Sequence, residues 1–385
     1  MDLSACSDDT LARARALGPA IAAAVPTIEA TRRLPDDLVE GLHAARLLRL
    51  LLPRAVGGEE VDPATYLVAI AEVARHDASV AWNLFVANST VLIAAYVAPA
   101  VAAEIFTDPR SVLAWGPPNE VIASAVPGGY RLTGRFDFAS GCRIANWMGA
   151  HCRVREADGS FRLNHLGRPA IRTLLFPAHQ ARLLDTWNTI GLRGTASDSY
   201  TVDDIFVPEA FSATREDPSE CREPGPLYAF TQPGLYAVGG AGVALGTAEA
   251  MLGEFIGLAM KKTPRSQTLL ADDGLVQYEV ARAEARICAA RAYLLEVLRG
   301  LYGKATHNTE DRARVRLACV HAIHEALAVC DYAHKAAGVD AIFPGGPFEQ
   351  RFRDMHTLSQ QIQSRAGHYT AVGQVILGRA PVNFL

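Results

Sequence analysis

Residues 129–147 read GYRLTGRFDFASGCRIANW, and the first half of this stretch decides the class of fold. From Tyr130 to Phe138, apolar or small residues alternate with charged or hydroxyl residues. A period of two is typical of a half-buried β-strand, because successive side chains point to opposite faces of a sheet. The sequence PGG at 127–129 supplies a turn just before it. We therefore predict a β-strand that begins at 129 and belongs to a β domain.

The hydrophobic period changes on both sides of this strand. Residues 1–110 are rich in alanine and leucine with helical spacing, and helical spacing returns after 211. A second strand-like stretch runs from Asp198 to Val207 and ends at Pro208. Long helical stretches follow at 238–260, 280–301, 312–337 and 350–378. We predict a mainly α protein with a central β domain: an N-terminal helical domain at 1–110, a β domain at 111–210 and a C-terminal helical bundle at 211–385.

Charge and composition exclude several classes of partner. The 385 residues include 37 basic and 41 acidic side chains, so the formal charge of −4 gives no basic field for nucleic acid or anionic lipid. The longest apolar run, Val91 to Ala103, contains Pro99 and is shorter than the roughly 20 residues that span a bilayer. The acidic start MDLSACSDDT does not read as a signal peptide. We expect a soluble, cytoplasmic protein without a nucleic-acid or membrane partner.

The histidines and cysteines do not form a metal motif in the sequence. The seven cysteines include no CxxC pair, and His321 and His324 lack an evident third ligand. The sequence also contains no GxGxxG or Walker-type loop for phosphates. We therefore predict no metal centre.

Three segments, taken together and in this order, resemble the acyl-CoA dehydrogenase superfamily. They are residues 129–147, TWNTIGLRGTASDSYTVDDIFVP at 186–208 and FEQRFRDMHTLSQQ at 348–361. More narrowly, they are similar to its flavin-dependent monooxygenase branch, which includes two-component hydroxylases of phenols and related aromatic or heteroaromatic compounds. The resemblance implies an N-terminal helical domain, a β-barrel and a C-terminal four-helix bundle. It also implies FMN or FAD as cofactor and a homotetramer, or at least a homodimer.

The resemblance also implies where the flavin is held. Ser140 and Gly141 end the predicted strand, where a small residue lets the backbone approach a ring and a hydroxyl can point at the flavin N5. Without a ligand, the same stretch is an ordinary hairpin. Lys261 and Arg265 match a connection that contacts flavin phosphates, often across a subunit interface, although a solvated cationic helix end is an equal alternative. The other cofactor-binding residues that the resemblance implies are Trp147, as part of the flavin wall, and Trp187, Arg193, Thr195 and Ser197.

Two positions depart from the superfamily where it carries a proton-abstracting carboxylate. Those positions fall near Ile362 and near Tyr236 in this chain, and neither residue can abstract a proton in that role. The sequence therefore argues against ordinary acyl-CoA dehydrogenation. Arg353 and Asp354 match the late Arg-Asp element of the family, and a structural ion pair between them is the favoured interpretation.

The monooxygenase branch often carries a histidine in a pattern like RDxHTxxQH, whereas this chain reads RDMHTLSQQ. The expected position is Gln361, whose amide donates and accepts hydrogen bonds but is not a base. His368 is the alternative base, and a structural role for it is equally open. We take Ser140, Gln361 and His368 as the catalytic candidates. Trp82 and Asn88, on a buried helix that the resemblance places on the substrate side, are the candidates for the substrate pocket.

The resemblance implies a monooxygenase that hydroxylates a small aromatic or heteroaromatic substrate with molecular oxygen through a flavin C4a-hydroperoxide. Reduced FMN or FAD would come from a separate flavin reductase, because nothing in this chain resembles a nicotinamide-binding module. One alternative is a flavin dehydrogenase or oxidase with an atypical base. Another is an inactive relative that serves as a structural or assembly partner.

Overall fold

The N-terminal part of the chain is a layer of six helices. The computed structural model describes residues 8–117, 119–164, 167–215, 218–265 and 267–381, so the acidic start at 1–7 lies outside the described residues. The helices are α1 (Asp8–Ala16), α2 (Gly18–Thr31), α3 (Asp36–Ala44), α4 (Pro63–Ala74), α5 (Ala78–Thr90) and α6 (Pro99–Phe106). Every residue of α5 is buried, which agrees with its apolar sequence.

The middle of the chain forms one sheet. Its strands are β1 (Leu113–Trp115), β2 (Ile122–Val126), β3 (Gly129–Ala139), β4 (Trp147–Arg155), β5 (Ile171–Pro177), β6 (Arg182–Leu184), β7 (Asp198–Pro208) and β8 (Ser212–Ala213). Both strands predicted from the period of two are confirmed as β3 and β7. They pair antiparallel from Gly129 opposite Pro208 to Ala139 opposite Asp198. This register places the segment after β3 beside the segment before β7.

The strand order places β3 and β7 next to each other within the sheet. The order is β6-β7-β3-β2-β4-β5-β8, with β1 parallel to β4, so β6 and β8 are the ends of an open path among the described strands. The short β8 pairs with β5, so the sheet continues three residues past the predicted end at 210.

The C-terminal part is helical, as predicted from its period. It consists of α7 (Gln232–Ala259), α8 (Gly274–Leu301), α9 (Thr309–Ala337), α10 (Pro347–Leu358) and α11 (Gly367–Ile376). The stretch 350–378, predicted as one helix, is broken. The Gln361 side chain accepts the backbone N–H of Gln363 at 2.7 Å and caps a 3-10 turn at Ile362–Ser364. This cap competes with helix continuation in the way that short polar side chains do.

A row of glycines on α7 lets two N-terminal helices cross it closely. A Cβ at Gly246 would lie 2.0 Å from the carbonyl oxygen of Ala71 on α4, and one at Gly239 would lie 2.7 Å from Cβ of Phe85 on α5. Gly242 faces Ile70 of α4 in the same way. The absence of side chains on this face therefore fixes how tightly the N-terminal layer packs on the bundle.

Two helical stretches are long and apolar enough by composition to cross a membrane. They are Ala78–Ala95 and Gln232–Ala259, and 100% and 83% of their apolar windows are buried inside the protein. Their apolar surface is therefore accounted for by the core that α5 and α7 share.

The close crossing on α7 predicts opposite effects for two glycine-to-alanine substitutions. Gly246→Ala forces a methyl group onto the α4 backbone and should destabilise the fold by about 1–3 kcal/mol, the usual cost of overpacking. A Cβ at Gly253, on the same helix, meets nothing within 4 Å. Gly253→Ala should therefore stabilise by about 0.5–1 kcal/mol through helix propensity. Urea unfolding of both variants measures the difference, and equal effects would contradict the packing described here.

Candidate functional site

The candidate site begins where β3 leaves its regular pairing with β7. The register shifts between Phe136 and Ala139, and Phe138 has a φ of 60°. Gly141 follows at a φ of 77°, and its N–H bonds the Thr195 carbonyl at 3.1 Å. A bulge of this kind re-aims the side chains that follow it. Here it turns Ser140 towards α5.

Three hydroxyls lie in a row at this bulge, and we call Ser140, Ser197 and Thr195 the hydroxyl row. Their oxygens are 2.6 Å apart between Ser140 and Ser197 and 2.7 Å apart between Ser197 and Thr195. All three residues are buried. The row joins the end of β3 to the loop before β7, so the structure brings together three residues that the sequence analysis assigned to the cofactor.

The two ends of the hydroxyl row fix the direction of its hydrogen bonds. At one end the Trp82 indole Nε1 donates to Ser140 Oγ at 3.1 Å, and at the other Thr195 Oγ1 donates to the Leu192 carbonyl at 2.9 Å. An indole N–H only donates and a carbonyl only accepts. For all four contacts to be hydrogen bonds, Ser140 must donate to Ser197 and Ser197 to Thr195. Ser140 then has a free lone pair but no free proton.

The loop before β7 is held against α5 by hydrogen bonds between α5 side chains and the backbone of the loop. The Asn83 amide donates to the Gly194 carbonyl at 3.0 Å, and the Gly194 N–H donates to Ser79 Oγ at 3.2 Å. A Cβ at Gly194 would lie 2.2 Å from Ile28 of α2, so only glycine fits between the two helices. The hydroxyl row is therefore positioned by the rigid N-terminal layer and by the sheet together.

Backbone strain concentrates around the hydroxyl row. Seven non-glycine residues in the described chain have positive φ, and Phe138, Leu192 and Ala196 are three of them. A non-glycine residue in this region costs of order 1 kcal/mol or more and persists only where its surroundings enforce it. Such residues cluster at ligand sites, so this one structural feature points to the loop pair as a functional site.

An exposed aromatic surface lies beside the hydroxyl row. Phe138 is 63% exposed, and the Trp187 ring meets it edge-on with centroids 6.4 Å apart. The period of two predicts that Phe138 shares the buried face of Phe136, but the bulge turns it outward. Phe138 was therefore not predicted as a site residue, and no signal in the sequence marks the bulge. Two aromatic rings beside buried hydroxyls can hold a flat, polar-edged ligand.

The structure places Trp147 elsewhere. Its ring stacks on Phe211 with centroids 5.9 Å apart, beside the apolar cluster that α6 and β1 share. Trp147 begins β4, which pairs with β1, β2 and β5 and not with β3. Trp147 therefore lies on a strand that does not pair with β3, and its assignment to the flavin wall stays a prediction.

An aromatic path leads from the hydroxyl row to Gln361. Trp82 meets Phe85 edge-on at 4.8 Å between centroids, and Phe85 meets Tyr236 in the same way at 4.9 Å. The Tyr236 hydroxyl hydrogen-bonds the Gln361 side chain. Burial raises the pKa of Tyr236, and this bond opposes the shift only in part. The two segments in which the superfamily carries its base thus meet in this chain as a neutral pair.

Two buried aspartates hold backbone segments next to the hydroxyl row. Asp77 caps α5 through the Val80 N–H at 2.8 Å, and Asp354 of α10 accepts the Leu192 N–H at 2.6 Å. Burial raises the pKa of Asp77 to about 6. The pKa of Asp354 is also raised, by burial first and then by the charge of Asp77. Asp354 therefore holds the residue at which the hydroxyl row ends.

Arg353 does not form the expected ion pair with Asp354. Its guanidinium contacts Glu349 at 2.7 Å and Glu29 of α2 at 2.9 Å, and it also donates to the Ile190 carbonyl. Asp354 instead accepts a backbone N–H, as described above. The Arg-Asp element thus clamps α10 onto α2 and onto the loop before β7, which is a structural role for both side chains.

Asn88 and Arg193 form hydrogen bonds with backbone groups of the protein. The Asn88 amide donates to the carbonyls of Leu47 and Leu84 at 2.7 and 2.9 Å and accepts the Leu51 N–H at 3.1 Å. A substrate contact through its N–H groups would have to break one of these bonds. Arg193 donates to the backbone of Glu29 and Thr189, at 3.1 Å in each case. Both residues hold backbone segments in place around the site.

The remaining predicted residues lie apart from the hydroxyl row. His368 Nε2 bonds the Ile362 carbonyl at 2.8 Å, and burial lowers the pKa of its ring. Lys261 and Arg265 are exposed beyond the end of α7. Lys262, between them, bonds Asp340 and the Ala337 carbonyl. Within one chain, no contact in the described residues brings these cations to Ser140.

Family models and known relatives match most of the chain. The family model described as the acyl-CoA dehydrogenase N-terminal domain matches residues 14–106, and the C-terminal domain model matches residues 238–365. The indole-3-acetate monooxygenase of Pseudomonas putida is 29% identical over 98% of this chain and 98% of its own. The oxygenase component of the FADH(2)-dependent resorcinol hydroxylase of Rhizobium sp. is 27% identical over 92% of this chain and 90% of its own.

Solved structures share the fold. XiaF from Streptomyces sp., in complex with FADH2 and glycerol, matches with a TM-score of 0.89 and 25% identity, over 97% of this chain and 96% of its own. The HsaA monooxygenase from M. tuberculosis matches with a TM-score of 0.89 and 24% identity, over 98% and 99%. The order of helical layer, sheet and helical bundle is the same in these proteins and in this chain.

The raised pKa of Asp77 predicts that stability falls as pH rises. An unfolded aspartate has a pKa of about 4, whereas the folded value is about 6. The folded state therefore binds the proton more tightly, and stability decreases between about pH 4 and pH 6 before levelling off. Asp77→Asn keeps an oxygen for the Val80 N–H and removes this loss, on the order of 2 kcal/mol. Unfolding of both proteins at pH 4.5 and pH 8 measures it.

Asp62 provides the matched control, because it caps α4 through the N–H groups of Ala64 and Thr65. Asp62→Asn reports the effect of replacing a capping carboxylate by an amide. Each substitution changes the free energy of unfolding relative to the parent protein, and this change is compared at pH 4.5 and at pH 8. If the change caused by Asp77→Asn is no more favourable at pH 8 than the change caused by Asp62→Asn, Asp77 does not have a raised pKa.

Proposed function

This chain belongs to the acyl-CoA dehydrogenase superfamily, and from that premise we propose that it is the oxygenase component of a two-component monooxygenase. It is a flavin-dependent enzyme, and the proposed reaction is hydroxylation of a small aromatic or heteroaromatic substrate by molecular oxygen. Two relatives support this class of substrate by name: one acts on indole-3-acetate and the other on resorcinol. The second is an oxygenase component, which supports a separate flavin reductase as partner.

The residues around the hydroxyl row fit a flavin. A flat ring system needs aromatic walls, polar groups at its edge and shielding from water. Phe138 and Trp187 would form the wall, and Ser140 would meet the N5 edge. When bound, reduced FMN or FAD supplies the electrons that activate oxygen. Lys261 and Arg265 would bind the phosphates, and their exposure is consistent with a flavin shared between subunits of a homotetramer.

The direction of the hydroxyl row favours the reduced form of the flavin. The N5 of reduced flavin carries a proton, whereas the N5 of oxidised flavin is only an acceptor. Ser140 has a free lone pair and no free proton, so it can pair with a donor and not with an acceptor. A buried acceptor opposite another acceptor loses its hydrogen bond and costs about 1–3 kcal/mol. The chain is therefore arranged to take up reduced flavin as a cosubstrate.

The neutral pair of Tyr236 and Gln361 separates this proposal from dehydrogenation. Removal of a proton from carbon requires a base at the substrate, and the raised pKa of Tyr236 keeps its hydroxyl protonated. Gln361 does not ionise. Hydroxylation of an electron-rich ring needs no such base at the start, and a neutral donor and acceptor can orient a phenol or an indole nitrogen. The aromatic path from Trp82 to Tyr236 would line that substrate and exclude water.

The proposed reaction predicts oxygen transfer from molecular oxygen. Purified protein, a generic flavin reductase, NADH and a panel of phenols and indoles should give a hydroxylated product that carries one ¹⁸O atom from ¹⁸O₂. Ser140→Ala should shift the outcome towards hydrogen peroxide, with product per NADH lowered about tenfold or more, because the N5 edge loses its partner. Mass spectrometry and peroxide assay measure both. Ser212→Ala, a buried serine on β8, is the control, and NADH-independent oxidation of an acyl thioester would contradict the proposal.

The direction of the hydroxyl row predicts a change in redox preference for Thr195→Val. Valine fills the same space but removes the acceptor for Ser197, which can then donate to Ser140 and free the Ser140 proton. The ratio of affinities for reduced over oxidised flavin should therefore fall about fivefold, as expected for one hydrogen bond of about 1 kcal/mol. Anaerobic titration with each redox form measures it without turnover. Thr173→Val, a buried threonine on β5, is the control.

An unchanged ratio in Thr195→Val and in Ser140→Ala alike would show that Ser140 does not meet N5. Product formation with ¹⁸O would then still stand on its own, so the two outcomes can be told apart.

A further inference from the structure

A buried arginine on α9 has no partner for part of its guanidinium. Arg316 is 2% exposed, and its Nε and Nη1 meet no hydrogen-bond partner in the part of the chain that the structure describes. Burial of a charged group without a partner costs several kcal/mol in real proteins, because the ion leaves water for a medium of low dielectric constant. Burial also lowers the pKa of Arg316, which expresses the same cost. The unpaired atoms therefore require an explanation.

The carboxylate one turn earlier on α9 does not supply it. Asp311 accepts a hydrogen bond from Lys304 at 2.8 Å and caps α9 through Asn308. Among the described residues, Arg316 takes part in no ion pair that would neutralise it. Arg312, on the neighbouring turn, adds a second unpaired Nε to the same region. The unpaired guanidinium atoms gathered here thus take part in no ion pair within the described chain.

Arg312 and Arg316 line a small cavity at the start of α7. The cavity has a volume of about 10 Å³, and Thr231, Gly234 and His307 also line it. Thr231 caps α7 by accepting the Gly234 N–H at 3.1 Å, so the N-terminus of a 28-residue helix faces this space. The aligned peptide dipoles of such a helix place a partial positive charge at its start. Two guanidinium groups and a helix N-terminus therefore converge on one enclosed point.

We propose that this cavity is a binding site for a small monovalent anion, either a halide or the carboxylate group of an organic acid. The three positive groups supply the recognition, and the anion supplies the missing partner of Arg316. None of the residues that line the cavity belongs to the hydroxyl row, so the site is separate from the proposed flavin site. It lies in the bundle, between α7 and α9.

The size of the cavity restricts its occupant. About 10 Å³ holds roughly one water molecule, so a chloride ion or one end of a carboxylate enters only with a small outward movement of the lining side chains. A phosphate or a nucleotide does not fit without movement of the helices. A water molecule carries no net charge. It would accept a hydrogen bond from Arg316 but would not compensate for the burial of the cation.

The site is connected to the segment that carries Gln361. The charge of Arg316 contributes to the lowered pKa of His368, and His368 bonds the carbonyl of Ile362. His368 Nδ1 and Gln363 Oε1 are also buried without a partner. An anion beside Arg316 would therefore lie near His368, which hydrogen-bonds the turn that follows Gln361.

Thermal unfolding of the full-length protein at constant ionic strength tests the site. Replacement of sodium methanesulfonate, whose tetrahedral head group is excluded by size in the same way as phosphate, by sodium chloride should raise Tm saturably by about 2–4 °C, because a ligand that binds only the folded state stabilises it. Sodium bromide should act in the same way. A Tm that does not depend on chloride or bromide would overturn the halide form of the proposal, and if sodium acetate is also without effect, the cavity holds water and the proposal is wrong.

Two arginines on the same helix give a matched pair of variants. Arg316→Met removes the buried charge and should abolish the dependence on anions, while raising Tm in methanesulfonate because an uncompensated cation is lost. Arg314→Met, at an exposed position two residues earlier, should leave the dependence intact. The same response in Arg316→Met as in the parent protein would overturn the proposal. If Arg316→Met does not fold, Arg312→Met takes its place and should weaken the response at least twofold.

Acetate and benzoate distinguish the two sources of the anion. If chloride and bromide raise Tm and acetate does not, the site takes an inorganic halide. If acetate and benzoate raise Tm and chloride competes with them, the site takes a carboxylate. An anomalous bromide peak beside Arg316 in crystals of the protein locates the ion directly, and a peak only elsewhere contradicts the assignment. None of these measurements needs flavin or substrate, so their failure leaves the proposed function untouched.

Discussion

The hydrogen bond from the Trp82 indole to Ser140 joins the helical layer to the sheet, and the arrangement of the site depends on it. Trp82 belongs to α5, whose position is set by the glycine face of α7. The far end of the hydroxyl row rests on Leu192, whose N–H is held by Asp354 of α10. One line of hydrogen bonds therefore crosses all three parts of the chain. Because its first member only donates and its last only accepts, the line has one direction.

The regular elements could be predicted from the sequence because their signals are local. The alternation at Tyr130–Phe138 and at 198–207 reports side chains that face core and solvent in turn, and β3 and β7 follow it. The long helices also follow their period, apart from the stretch at 350–378. There the Gln361 side chain caps a 3-10 turn, which is a choice between two local hydrogen-bond patterns that apolar spacing does not report.

The geometry of the site depends on tertiary contacts that cannot be predicted from the local sequence. Ser140, Ser197 and Thr195 could be identified through family motifs, but their linear order gives no sign that they form a single row. Phe138 appears in the sequence as a core residue of β3, and only the bulge turns it outward. Asp77 and Asp354 are far apart in the chain, so their mutual effect on pKa depends on tertiary packing. Asn88 shows the reverse case, since a residue that suits a substrate pocket hydrogen-bonds backbone groups of the core.

The pair of Tyr236 and Gln361 gives the most specific chemical difference from a dehydrogenase. A carboxylate at either position would lie near Phe85 and Trp82, in surroundings that already raise the pKa of Tyr236 by burial. Two of the carboxylates that are buried in the described chain, Asp77 and Asp354, have raised pKa values and serve to hold backbone segments. A further buried acid would add to the same electrostatic cost. An amide bonded to a phenol instead keeps polar groups at the end of the aromatic path without charge, and a neutral site of this kind suits a reaction whose oxidising power comes from oxygen rather than from a base.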